Sequence, residues 1–236
     1  FIRPLFQQFE VVAAQTEQYA DRLQCLGTKA DVTTALGSIK FDGVLTDRNN
    51  PATQKLRSLF HIADADVVFI AGSTQAPEEQ MALDAWMALR ETQPNLRLIL
   101  VPRHRERFDE VAELVQKLGL SVCRRSQVES GDAIASDAVY LLDTIGELSA
   151  CWGLAEIAFV GGSFGSRGGQ NMLEPAAFGA AVMFGPNTSN FRDIANRLID
   201  VNGAVRVRSS EEISQQLANL VTDLLDVSRL QSGVLG

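Results

Sequence analysis

From residue 65 onward, short apolar and β-branched runs alternate with longer amphipathic segments, and this alternation constrains the fold more than any single motif. The runs are "ADVVFIAGST" (65–74), "LRLILVPRH" (96–104), "LSVCRRSQ" (120–127), "DAVYLLDT" (137–144), "IAFVGG" (157–162), "AAVMFGP" (180–186) and "AVRVRS" (204–209). Several are apolar almost without interruption, the pattern of strands buried on both faces. The segments between and after them read as helices: 76–94 with Pro77 in its first turn, 106–119, 145–155, 171–179, 189–203 and 210–231. Six strand–helix units in series predict an α/β domain, a doubly wound parallel sheet covered on both faces. Ahead of it, residues 9–15 are a strand candidate. Residues 16–27 read as a helix capped by Thr16 and stopped by Gly27, and 50–62 as another helix. Residues 31–50 have no clear period and read as a linker or an irregular strand. Ligands on such sheets gather at the carboxyl ends of the strands. The turns at Ser73, Arg103, Gly146 and Ser163 therefore share one candidate edge.

The chain has 236 residues, suited to one large domain or one and a half smaller ones. It opens on "FIRPLFQQFEVVAAQ", without an initial Met, and reads as a piece of something longer. At 46% hydrophobic and 21% charged it can bury a core. A net charge of -8 and a pI near 4.8 argue against nucleic acid as a partner, because no basic excess neutralises a phosphate backbone. A local basic pocket for one phosphate remains compatible with that charge. Cys25, Cys123 and Cys151 are scattered, with no CxxC or Cys/His pair at metal-ligand spacing. Reduced structural thiols of a cytosolic protein are expected, and no metal site. The longest apolar run is too short to span a bilayer, and the start does not resemble a signal peptide.

The densest stretch is "AFVGGSFGSRGGQNMLEPAAFG" (158–179), with five glycines between 161 and 169. Such loops permit close approach or unusual dihedrals, and two chemistries use them. Gly161-Gly162-Ser163-Phe164-Gly165 matches the G-x-S-x-G elbow of α/β-hydrolases. In that fold the histidine base follows the serine, whereas His61 and His104 both precede it, which disfavours hydrolysis. The alternative is a phosphate cradle, in which loop N–H groups and a helix N-terminus meet an anion. Neither G-x-G-x-x-G nor the Walker pattern is present. Gly168, Gly169, Asn171 and Glu174 open a helix that runs into Pro175. Glu174 is either a partner of the helix dipole or, beside a nucleotide, an acceptor for both ribose hydroxyls.

The run "FVGGSFGSRGGQNMLEPAAFGAAVMFGPNTSNFRDI" (159–194) resembles the signature of the 3-deoxy-D-manno-octulosonic acid (Kdo) transferases, glycosyltransferases that place Kdo on lipid A precursors in lipopolysaccharide biosynthesis. Four further stretches agree in order: "LGSIKFD" (36–42), "AGST" (71–74) followed by a Glu-Glu helix, "LILVPRHRERF" (98–108) and "DTIGEL" (143–148). The resemblance covers nearly the whole chain. It implies the GT-B architecture, two Rossmann-like domains facing a cleft. Residues 1–44 would be the end of the N-terminal acceptor domain with the linker. Residues 45–236 would be the C-terminal, nucleotide-sugar donor-binding domain. The family's acidic general base, acceptor site and membrane-facing surface belong to the part of the N-terminal domain outside this chain.

By the same resemblance the donor is CMP-Kdo. Its nucleotide contacts map onto Pro102 and Arg103, onto Ile145, Gly146 and Glu147, and onto Asn171, Met172, Leu173 and Glu174. Ser73, Thr74, His104, Ser163, Gly168, Gly169 and Gln170 are further candidate donor contacts. Asn187 and Asn190 read as cleft-edge or loop-capping residues, and His61 as structural. The implied reaction is an inverting displacement without cofactor or metal, in which Arg103, loop N–H groups and the helix end at Asn171 stabilise the departing phosphate. The family usually reads Gly-Gly-His-Asn where this chain reads Gly-Gly-Gln-Asn. Gln170 can donate a hydrogen bond but carries neither a proton nor a positive charge. The whole protein is expected at the cytoplasmic face of the inner membrane, with a lipid A precursor as acceptor, and this part alone as soluble. Two other readings compete: a nucleotide-binding module without catalysis, and a GT-B epimerase with a uridine donor. The second is disfavoured by the "LVPRHRERF" and "DTIGEL" matches.

Overall fold

The seven apolar runs become seven parallel strands. The computed structural model describes residues 2–37, 43, 45–135 and 137–231, so residues 38–42 of the "LGSIKFD" motif lie outside the described residues. The chain forms two compact units, 1–44 and 45–236. In the smaller unit α1 (Arg3–Phe6) precedes β1 (Val12–Ala14), α2 (Glu17–Leu26) and β2 (Thr33–Ala35). β2 lies parallel to β1 with Val12 opposite Thr33, so the period-free stretch contains a regular strand. Thr16 caps α2 by accepting a hydrogen bond from Tyr19 N–H at 3.3 Å. Gly27 ends that helix at φ 125°, a backbone angle that favours glycine.

The larger unit begins with α3 (Pro51–Leu59), capped by the Asn50 side chain, which accepts from Thr53 N–H at 3.0 Å. There follow β3 (Val67–Thr74), α4 (Glu78–Met87), β4 (Leu96–Pro102), α5 (Phe108–Lys117), β5 (Val122–Arg124) and β6 (Val139–Leu141). Then come α6 (Leu148–Trp152), β7 (Ile157–Val160), α7 (Leu173–Ala177), β8 (Ala181–Phe184), α8 (Arg192–Asp200), β9 (Ala204–Arg206) and α9 (Ser210–Gln231). Short 3-10 turns at Arg105–Arg107 and Ser189–Phe191 precede α5 and α8. All pairings are parallel in the order β5-β6-β4-β3-β7-β8-β9. β5 passes to β6 without a helix, which leaves the six strand–helix units expected. Pro77 sits one residue ahead of α4 and not in its first turn. The chain is still turning there, closed by a 2.7 Å bond from Glu78 N–H to Gln75 C=O.

Side-chain alternation along each strand divides the core. Val68, Ile70, Ile99, Ala158, Val160, Val182 and Phe184 face one layer, with Leu56, Phe60, Trp152, Phe178 and Ile194 from α3, α6, the end of α7, and α8. Val67, Phe69, Ala71, Leu98, Leu100, Leu141, Phe159 and Met183 face the other, with Leu83, Trp86, Val111, Val115, Ile213 and Leu217 from α4, α5 and α9. Trp152 lies flat enough against β3 that a Cβ on Gly72 would collide with its indole ring. Among the described residues no helix is long and apolar enough to cross a membrane.

Gly72→Ala is therefore expected to destabilise the chain by about 2 kcal/mol, the usual cost of overpacking a core. Urea unfolding would measure this; an unchanged midpoint would mean that Trp152 yields without cost.

Candidate functional site

The strand order reverses beside β3: β4 pairs on one side and β7 on the other. The helices that follow β3 and β7 pack on opposite faces, so their loops part and leave a crevice at the carboxyl ends, where ligands of such sheets sit. One side chain fixes its floor. Glu78, the first residue of α4, is buried at 1% exposure. Its Oε2 accepts hydrogen bonds from Gln75 N–H at 2.8 Å and Gly162 N–H at 2.7 Å. Its Oε1 accepts from Ser163 N–H at 2.9 Å and Phe164 N–H at 3.0 Å. Gly161 must be glycine here, since a Cβ would stand 2.6 Å from Thr74 Cα and 2.7 Å from Glu78 Oε2.

These bonds correct two expectations. The first N–H groups of the glycine-rich loop, 162 to 164, point at Glu78 and not at a ligand; that of Gly161 bonds Gly72 C=O at 2.9 Å. Ser163 is fully buried, its hydroxyl donating to Val160 C=O and accepting from Gly185 N–H, each at 2.8 Å. It braces β7 to β8, so its hydroxyl is neither a nucleophile nor a donor contact. The far half of the loop is tied down by the segment after β8. Asn187 donates to Gly165 C=O at 2.8 Å and Asn190 to Arg167 C=O at 2.6 Å, so both asparagines hold the loop. Gly168 and Gly169 each take φ 82°, and Gly169 N–H closes the loop on Gly162 C=O at 2.8 Å. Gln170 emerges from this turn half-buried and makes no hydrogen bond among the described residues.

At the start of α7, Asn171 Oδ1 accepts from Leu173 N–H at 3.2 Å while its Nδ2 donates to Glu174 Oε1 at 2.9 Å. Glu174 is thus aimed by Asn171, half-buried, with Oε2 unbonded among the described residues. Met172 is fully buried in the core, so its part in any contact is confined to its main chain. Leu173 packs partly against the same core.

The neighbouring strands present the remaining candidates. Arg103 N–H bonds Thr74 C=O at 3.0 Å across β3 and β4, and its exposed side chain has no ion pair among the described residues. Ser73 is held at φ 55°, an unusual angle for a non-glycine and one often found at functional sites. Thr74 Oγ1, Gln75 Nε2 and His104 Nε2 are buried without a hydrogen-bond partner. Orphaned polar atoms of this kind are costly unless water or a ligand meets them. Gln75 was not singled out by the sequence, which offers no signal for it. Behind this rim, Arg107 forms a two-pronged ion pair with buried Glu79 at 2.5 and 3.2 Å. Burial opposes the charge on Arg107, but bonds to Glu110 and Glu79 outweigh it and raise its pKa. The second arginine of "RER" therefore anchors the β4 loop to α4.

After β6, Gly146 turns at φ 89° and leaves Ile145 74% exposed, an apolar surface standing free at the rim. Glu147 immediately precedes α6 and is not a free acid. Arg125 donates to its Oε1 at 3.0 Å, and the Thr144 hydroxyl donates to Oε2. Below it, Asp143 accepts from Ser126 N–H at 2.7 Å, Ser126 Oγ at 2.6 Å and Arg124 Nε at 2.7 Å. Burial alone would raise the Asp143 pKa; the bonds from Ser126 and Arg124 outweigh it and depress it. This anchoring is therefore present above the ordinary carboxylate range near about 4 and lost as acid protonates Asp143 below it.

A family model described as 3-deoxy-D-manno-octulosonic-acid transferase (kdotransferase) matches residues 1–43. The 3-deoxy-D-manno-octulosonic acid transferase of Haemophilus influenzae is 36% identical over 212 residues, 89% of this chain and 48% of that protein. That of Bordetella pertussis is also 36% identical, over 87% of this chain and 47% of its own length. The chain thus spans about half the length of the curated relatives it matches. The crystal structure of the C-terminal CMP-Kdo binding domain of WaaA from Acinetobacter baumannii is 34% identical, with a TM-score of 0.65, over 76% of this chain and 91% of that one. The chain belongs to the Kdo transferase family. In this chain the glycine-rich signature and the Glu-Glu helix are two ends of one structure, joined by the Glu78 carboxylate.

Glu78→Gln would turn an amide NH2 toward two backbone donors and leave them unmet. A loss of about 3 kcal/mol is expected, the penalty for stranding buried donors, with faster hydrogen exchange at residues 162–164. Unchanged exchange there would show that the loop holds its shape without the carboxylate.

Proposed function

We propose that residues 45–236 bind CMP-Kdo at the carboxyl edge of the seven-stranded sheet. The whole protein would transfer Kdo from it to a lipid A precursor. The observation that carries this reading is the likeness to the CMP-Kdo binding domain of Acinetobacter baumannii WaaA, of which the chain covers 91% at 34% identity. The edge chemistry supports it. Glu174, aimed by Asn171, offers a free carboxylate oxygen to the ribose hydroxyls. Arg103 supplies an uncommitted guanidinium for the phosphate, and Ile145 an apolar face for the base. Glu147 acts by holding the Ile145–Gly146 turn in place.

On this reading residues 1–44 are the end of the acceptor domain with the linker. The acceptor hydroxyl attacks the anomeric carbon with inversion, giving its proton to the carboxylate of an acidic residue of that domain acting as general base. The bond to the CMP oxygen breaks, and the electron pair leaves with the phosphate, where Arg103 and the helix end at Asn171 meet the charge. Gln170 contributes a neutral hydrogen bond where the family usually has an ionisable histidine. The whole protein works as a peripheral protein of the inner membrane's cytoplasmic face. The committed Ser163 hydroxyl argues against the hydrolase reading.

Calorimetric titration with CMP, with UDP as control, tests the proposal. Binding selective for CMP is expected, weakened tenfold or more in both Glu174→Ala and Arg103→Ala, as for lost hydrogen bonds to charged groups. Equal or stronger binding of UDP would overturn the assignment in favour of a uridine-sugar enzyme.

A further inference from the structure

Away from the switch point, at the carboxyl ends of β8 and β9, lies a polar hollow of about 310 Å³, within the range of small-ligand sites. Its walls include Arg192 from the first turn of α8, Arg206 from the end of β9, and the polar side chains of Thr188, Ser189 and Asn196. Neither guanidinium has a carboxylate partner among the described residues, in a chain whose net charge is -8. Arg206 is not a loose surface side chain. It is half-buried, its guanidinium carbon lies 5.9 Å from the centroid of the Phe184 ring on the paired strand, and its Nε is buried without a hydrogen-bond partner. The Phe184 ring packs beside the guanidinium, and the orphaned Nε–H carries a desolvation cost that an oxyanion would remove.

We propose that this hollow is a second anion site that binds a phosphate monoester. A planar guanidinium meets a phosphate through two parallel N–H bonds, and Nε with one Nη of Arg206 presents that pair. Arg192 supplies a second fork, and two positive charges match a monoester that is close to dianionic at neutral pH. A carboxylate, with one charge, would leave one guanidinium unanswered. The hydroxyls of Thr188 and Ser189 and the amide of Asn196 complete the set with neutral donors. None of the lining residues is one assigned to the nucleotide, but the hollow borders the glycine-rich loop: Thr188 and Ser189 stand against Gly169 and Gly168, and Asn187, which also lines it, donates to Gly165 C=O.

The test is an NMR titration of the isotope-labelled chain with inorganic phosphate at constant ionic strength. Saturable shifts are expected at the Arg206 Nε–H and at residues 188–192, with affinity reduced at least tenfold in Arg206→Gln. Arg192 is exposed, so Arg192→Gln probes the hollow without touching the sheet and is expected to do the same. Cytidine 5′-phosphate methyl ester, a diester bearing base and ribose, is expected to bind both variants as it binds the parent chain. Cosedimentation separates the sources of the monoester. Retention on phosphatidylcholine vesicles containing phosphatidic acid above those containing phosphatidylglycerol, lost in both variants, assigns a lipid-borne phosphate. Saturation by phosphate with no vesicle preference assigns a soluble one. Shifts that neither saturate nor respond to the two substitutions would overturn the proposal. So would loss of the cytidine diester in either variant, which would make the hollow part of the donor site.

Discussion

The architecture of the site depends on a single buried carboxylate. Among the described residues Glu78 has no cationic partner at its oxygens; four backbone N–H groups from two different loops bond to it. A charge in a dry interior is tolerable only when hydrogen bonds replace the water it has lost, and here those bonds join the end of β3 to the loop after β7. The glycines at 161 and 162 follow from this. The first leaves room for Glu78 Oε2 and the β3 backbone, and the second takes φ 66°, letting the chain turn back across the carboxylate. The result is a braced floor between the two strands where the sheet reverses.

On that floor the protein separates residues that hold from residues that can bind. Glu79 with Arg107, Asp143 with Ser126 and Arg124, and Glu147 with Arg125 are all paired acids behind the rim. Each ties a loop at a strand end to a neighbouring element. Buried pairs add little net stability once desolvation is counted, but they fix geometry. Among the described residues the groups left uncommitted are the Arg103 guanidinium, one oxygen of Glu174, the Gln170 amide and the Ile145 side chain. A cation, an acceptor, a donor and an apolar face are the set that a charged nucleotide requires.

Most of the fold was legible in the sequence because the strands announce themselves: a run such as "VVFIA" cannot be satisfied except by burial on both faces. The caps Thr16 and Asn50 and the stop at Gly27 act locally and were equally readable, or stood where a helix start was expected. What escaped was long-range. β2 is a three-residue strand whose only reason to be one is its partner β1. The glycine-rich loop suggested a phosphate cradle, because spacing cannot reveal that an acid eighty-odd residues earlier consumes its N–H groups. Ser163 stood as a candidate donor contact, the elbow pattern around it being disfavoured by the order of the histidines, and its hydroxyl proves to be a brace, since its partners Val160 and Gly185 belong to two different strand ends. Met172 fell within a recognised motif, yet the helix turns its side chain into the core.

The unmet hydrogen bonds complete the argument for where ligands act. Among the described residues, three of the six buried side-chain atoms without a partner, on Thr74, Gln75 and His104, belong to the ends of β3 and β4. A fourth is Arg206 Nε at the hollow beyond β8. Elsewhere in this interior even the hydroxyls of Ser163 and Thr53 find partners, at 2.8 and 2.7 Å. Such groups are costly unless water or a ligand meets them, and the other two, on Arg90 and Arg125, show that orphaned atoms also occur away from these strand ends. The orphaned atoms at the ends of β3 and β4 lie beside a floor braced by Glu78, so a polar ligand or water arriving at that edge gains hydrogen bonds that folding alone does not supply.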